Sequence, residues 1–117
     1  PPFLFDTRTK GTDSIVNKRF SFFDTKQQLL DFYSNTLREA WRCLAAKGVL
    51  VFRCQDMIKC GKQNWTHIDV YQMATQAGFV ADDLYILLAK SVMIGHNHHR
   101  QLHARKFHSY FWVFKKP

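Results

Sequence analysis

Acidic side chains run out at Asp83. From Leu84 to Pro117 there is no Asp or Glu, against six basic residues: Lys90, Arg100, Arg105, Lys106, Lys115 and Lys116. Cysteine is scarce too. The three present (Cys43, Cys54 and Cys60) cannot all pair, which argues against a disulfide-stapled secreted domain and for an intracellular, reducing compartment, cytoplasmic or nuclear. With 5 Gly and 3 Pro, the chain is neither collagen-like nor low-complexity. No apolar run approaches the roughly 20 residues of a membrane helix, so a helical membrane-spanning protein is excluded. No stretch resembles a signal peptide, and the first residue is Pro1 rather than Met. The chain is therefore expected either to start after processing or to be a piece of something longer.

What is present suits a folded domain. Hydrophobic residues make up 46% and aromatics 15% of the 117 residues, enough apolar surface to offset chain entropy, and the length allows at most one domain. The formal net charge of +8 is unevenly spread: Pro1 to Asp83 holds 11 Lys and Arg against all 9 acids, nearly in balance. Five of the six histidines (His96, His98, His99, His103 and His108) fall in the acid-free segment. A short stretch of one sign attracts polyanions, of which nucleic acid is the commonest; the plainer alternative is a solvated surface.

Pro1 to Phe23 is polar and aromatic without periodicity and reads as a long loop, whose length suggests function. Asp24-Thr25-Lys26-Gln27 resembles a capping box, after which Leu30, Tyr33, Leu37, Ala40, Trp41 and Leu44 recur at helical spacing through Ala46. Gly48 is suited to end that helix in the left-handed conformation. Trp41 falls on its core face. Val49-Leu50-Val51-Phe52 reads as a strand buried on both faces, closed by Arg53-Cys54-Gln55-Asp56. A loop with Lys59, Gly61 and Lys62 leads to a helix over about Thr66 to Ala77, then Gly78. Leu84 to Leu88 reads as a second buried strand, and Phe107 to Phe114 as an aromatic closing strand. Helices alternating with strands predict an α/β fold with parallel strands, the last two strands being antiparallel neighbours.

Several residues suggest chemistry. Gln55 and Asp56 end the first clear strand, where open α/β sheets place active groups, although a plain strand-end turn has the same look. Arg100, Arg105 and Lys106 suit phosphate because they stay charged at neutral pH, and His98 and His99 can add donors or lie on a wet loop. His96-x-His98-His99 matches no closed four-ligand zinc pattern, and Cys54 and Cys60 are too far apart for a CxxC pair, so no metal is expected. Lys10, Lys18 and Arg19, interleaved with Phe20, Phe22 and Phe23, suit unpaired bases, whereas phenylalanines are more often buried.

Pro1-Pro2-Phe3, then a helix, a strand opening Gly48-Val49-Leu50-Val51, and a closing aromatic strand form a recognisable succession. It resembles the second half of a class I S-adenosylmethionine-dependent methyltransferase of the type that methylates exocyclic amino groups. In that family a strand ends in (Asp/Asn)-Pro-Pro-(Tyr/Phe). Leu44 to Asp56 resembles the helix-to-strand step that follows. Gln55 through Phe114, including Lys106-Phe107-His108-Ser109-Tyr110-Phe111-Trp112-Val113-Phe114, is similar to bacterial and archaeal DNA-methylase-like proteins. The resemblance implies a partial Rossmann-like sheet over residues 1–117, S-adenosylmethionine as cofactor, and a nucleic-acid base as substrate. It puts a carbonyl that accepts from the target amine on Pro1, the rigid turn on Pro2 and stacking on Phe3. The Asp or Asn before Pro1 is absent, and the five glycines (Gly11, Gly48, Gly61, Gly78 and Gly95) are isolated, with no Gly-x-Gly for the methyl donor. The remainder of the methyltransferase domain is therefore expected to come from other sequence. Alternatives are a protein N-methyltransferase, or a non-catalytic nucleic-acid-binding module built on half an enzyme fold.

Overall fold

The computed structural model describes residues 3–4, 22–90, 103–104 and 106–117. Two short strands, β1 (Phe3–Leu4) and β2 (Phe22–Phe23), pair in parallel and lie against the first helix. Helix α1 (Lys26–Cys43) begins one residue later than the sequence predicts. Thr25 is the N-cap, its hydroxyl accepting from Gln28 N while the Gln28 side chain accepts from Thr25 N. Two adjacent acceptors and two adjacent glutamines make either register possible on paper. The structure uses Thr25–Gln28, and the helix that starts there buries Leu29, Tyr33 and Leu37.

The end of α1 also differs from expectation. Lys47 (φ 63°), not Gly48, takes the left-handed conformation. Gly48 is needed for closeness instead: a Cβ there would lie 2.8 Å from Ala45 O. Lys116 fastens this corner, its Nζ donating to Trp41 O (2.6 Å) and Leu44 O (2.7 Å), which satisfies carbonyls the helix end leaves over.

Strand β3 (Val49–Cys54) is followed by a hairpin where the sequence suggests a loop. Its arms are β4 (Met57–Lys59) and β5 (Lys62–Asn64). Helix α2 (Thr66–Gln76), β6 (Val80–Leu88) and β7 (His108–Lys115) complete the order. Between α2 and β6, Gly78 (φ 105°) lies under Trp41, whose ring would be 2.9 Å from an added Cβ.

The main sheet has the order β3-β7-β6, with β7 antiparallel to both neighbours, as expected for β6 and β7. β3 and β6 therefore run in the same direction but share no hydrogen bonds, so the expected parallel pairing is replaced by a reversed strand between two parallel ones. Among the described residues helices cover one face only. Leu29, Tyr33 and Leu37 of α1 and Val70 and Ala74 of α2 pack on Phe52, Cys54 and Phe114, with Trp41 partly buried beside them. The strands are consequently not buried on both faces, in contrast to the sequence reading. Val49 (50%), Val51 (59%) and Leu84 through Leu88 (36–61%) are exposed, because β3 and β6 are edges and no described helix covers the second face. No helix among the described residues is long and apolar enough to cross a membrane.

Candidate functional site at the strand ends

Because β3 and β6 run in one direction and β7 in the other, the carboxyl ends of β3 and β6 meet the amino end of β7 at one rim. Register places Cys54 opposite Tyr110 and Leu88 opposite His108. Gln55 and Asp56 leave β3 at this rim. Gln55 is half-buried, and Asp56 is buried at 2% exposure.

Asp56 is held by the start of α2. Trp65, the N-cap, provides no side-chain cap bond. Asp56 does so from the strand end: Oδ1 accepts from His67 N (3.0 Å), and both carboxylate oxygens lie 2.8 Å from His67 Nδ1. Nδ1 therefore carries the proton that the Asp56 carboxylate accepts, which fixes the ring with Nε2 on its other side. His67 is fixed from two further sides. Its ring stacks on Tyr110 (4.2 Å, 16°), and its carbonyl accepts from Trp112 Nε1 (2.9 Å). The Tyr110 hydroxyl is 3.0 Å from His108 Nε2. The rim thus carries a continuous Asp56–His67–Tyr110–His108 array.

Electrostatics follow from burial. Desolvation, then the Asp56 charge, push the Cys54 thiol up to about 12, so it is a neutral core group. The Tyr110 phenol is raised for the same first reason, with Asp56 and Cys54 adding to it, and stays protonated. Tyr33, deeper in the core, is raised further by desolvation.

Among the expected site residues, Asp56 and Gln55 sit at the rim, and Asp56 is hydrogen-bonded to His67. Lys106 is half-buried just before β7. Phe3 belongs to the small β1–β2 sheet, separate from the sheet that carries Asp56. Pro1, Pro2, His98, His99, Arg100 and Arg105 lie outside the described residues. His67, Tyr110 and Trp112 were not singled out as site residues by the sequence. Their only signals there are a histidine in the first turn of a helix and aromatics at alternate positions of a strand. Among the described residues no group of three His, Cys, Asp or Glu is placed to hold a metal ion.

No glycine among the described residues offers a cofactor cradle. The space beside Gly48 is filled by Ala45 O and that beside Gly78 by Trp41, while Gly61 opens to solvent at the hairpin turn. The glycine-lined backbone approach that a methyl donor needs is therefore not supplied by Gly48, Gly61 or Gly78.

No protein-family model matches the sequence, and no curated protein matches it. Among solved structures the chain is similar to two of a "Putative DNA Modification Methylase" from Thermus thermophilus. The selenomethionine form gives a TM-score of 0.60 and the form complexed with S-adenosyl-L-methionine gives 0.59. In both, identity is 20%, and the match covers 78% of this chain and 38% of the methylase chain. The chain thus shares the fold of part of that "Putative DNA Modification Methylase" and spans less than half of its length.

Proposed function

We propose that the chain is the target-side part of an S-adenosylmethionine-dependent N-methyltransferase acting on an exocyclic amino group of a nucleic-acid base. The observation that carries this reading is the fold likeness to a methylase that binds S-adenosyl-L-methionine. In such a sheet, active groups gather at the carboxyl strand ends, the rim that bears Asp56 and His67.

The described glycines hold no cradle for the methyl donor, so the chemistry assigned to this chain concerns the target alone. An exocyclic amine is a poor nucleophile because its lone pair is delocalised into the ring. The Pro1 carbonyl accepts from the amine and draws it out of conjugation, Pro2 keeps that carbonyl in place, and Phe3 stacks on the base. Asp56 is a positioning residue that fixes the His67 tautomer, and Gln55 contacts the substrate beside it. His98, His99, Arg100, Arg105 and Lys106 hold phosphate. Rate comes from orientation and charge placement rather than from a covalent intermediate.

The second reading is a non-catalytic nucleic-acid-binding module built on half an enzyme fold. Transfer of labelled methyl from S-adenosylmethionine to DNA and RNA by the full-length protein, in which this chain is joined to the rest of the methyltransferase domain, separates the two. The enzyme reading expects transfer, reduced roughly 10²-fold in Phe3→Ala. Equal rates for the two would remove Phe3 from the site, and salt-sensitive binding without any transfer would leave the module.

A further inference from the structure

The β4–β5 hairpin beside the rim shows a charge arrangement that the fold itself does not need. Its turn is Cys60-Gly61, both at positive φ (51° and 72°), the conformation of a tight two-residue hairpin turn. Such a turn sets the flanking residues opposite each other, and here both are lysines: Lys59 pairs with Lys62. Like charges at directly opposed positions destabilise a hairpin. No acid lies anywhere from Met57 to Asn64 to offset them.

The cost is compounded at Lys59. Its Nζ is shielded from solvent and has no hydrogen-bond acceptor. A buried ammonium without a partner is among the more expensive groups a fold can keep. Asp56, the nearest acid along the chain, has both oxygens committed to His67. The hairpin is also joined to the acid-free segment, since His103 Nε2 donates to Gly61 O at the turn (2.9 Å). One exposed ammonium (Lys62), one unpartnered ammonium (Lys59) and a histidine of the acid-free segment (His103) therefore meet at a single turn.

We infer that this hairpin is an anion-binding element whose ligand is the phosphodiester backbone of nucleic acid. This rests on the nucleic-acid reading above and adds a site to it. The four-carbon stem of Lys59 lets its ammonium swing to the outer side of the turn, beside Lys62, where a phosphate relieves their repulsion and provides the missing acceptor. Ammonium groups act as point charges, so the contact positions the backbone and reads no sequence.

The test is a fluorescence-anisotropy titration of the full chain with a labelled DNA oligonucleotide, repeated between about 50 and 200 mM salt. Lys59→Ala and Lys62→Ala should each lower the slope of log affinity against log salt by about 0.9, and the double variant by twice that. Lys59→Arg, which keeps the charge, should retain the slope. Lys115→Ala, which removes a lysine already paired with Asp82, should also retain it. Thermal unfolding of each variant checks the fold, and losing a like-charge pair should leave the melting temperature unchanged or higher. An unchanged slope in the double variant overturns the hairpin site and leaves the nucleic-acid reading standing. Absence of binding by the unaltered chain overturns both.

Discussion

Two residues at the end of β3 do opposite work with similar burial. Asp56 accepts from the amide and the ring of His67, so removing it takes the acceptor from both. Asp56→Ala leaves the amide and Nδ1–H of His67 without acceptors and should cost about 1–3 kcal/mol. Urea unfolding would report this as a lower midpoint at constant slope, and an unmoved midpoint would show that the contact carries no weight. Cys54 keeps its proton. Its thiol is raised from 9.0 to about 12 in the folded chain, so the folded state binds a proton that the unfolded state gives up. That contribution is fully present below about pH 9 and is lost as pH rises toward 12, with Tyr33 and Tyr110 acting in the same direction. The urea midpoint should therefore fall from about pH 9 upwards, and a flat profile to pH 11 would contradict it. At neutral pH, iodoacetamide should modify the exposed Cys43 and Cys60 and spare the buried Cys54, which peptide mass mapping would show directly.

At the scale of elements, the joints carry distinct and separable strain. Gly78→Ala meets both a φ of 105° and the Trp41 ring, whereas Gly61→Ala meets a φ of 72° in open space. The first should destabilise by clearly more than the roughly 1–2 kcal/mol of left-handed strain expected for the second, as compared by thermal melts. Equal losses would mean that Trp41 yields. Thr25→Ala removes the cap of α1 and should cost about 1 kcal/mol, whereas Asp24→Ala should cost little. Both helices were legible in the sequence because the periodicity of α1 and the bounds of α2 are local. The hairpin was not, since its turn is Cys60-Gly61, where Asn or Asp before Gly would have marked it. Asp56 was readable as a strand-end acid, but its partner His67 belongs to a different element. Nothing in a one-dimensional pattern joins a carboxylate to a helix start across an intervening hairpin. The strand order was hidden for the same reason: β7 is last in the chain yet central in the sheet, which only long-range pairing decides.

On the molecular scale, the described residues cover the sheet on one face and leave the other without a helix. Val49 and Val51 on one edge strand and Tyr85 and Leu87 on the other expose large apolar surface, and an uncapped edge strand is a template for pairing with another chain. The full chain should therefore self-associate with rising concentration in sedimentation velocity, and Val51→Lys should reduce this without lowering the melting temperature. Concentration-independent sedimentation of the unaltered chain would contradict it. The central place of β7 has a further consequence, in the timing of synthesis. Among the described residues β3 and β6 bond only to β7, so a ribosome that has released everything through Leu88 has produced two strands whose described partner is still to come. The main sheet closes only when His108–Lys115 emerges, and Lys116 then locks the strand to the end of α1. Translation speed across the basic segment between Leu88 and His108 thus sets how long the apolar edges wait unpaired, and a pause there lengthens the interval in which a nascent chain is open to chaperones or to aggregation.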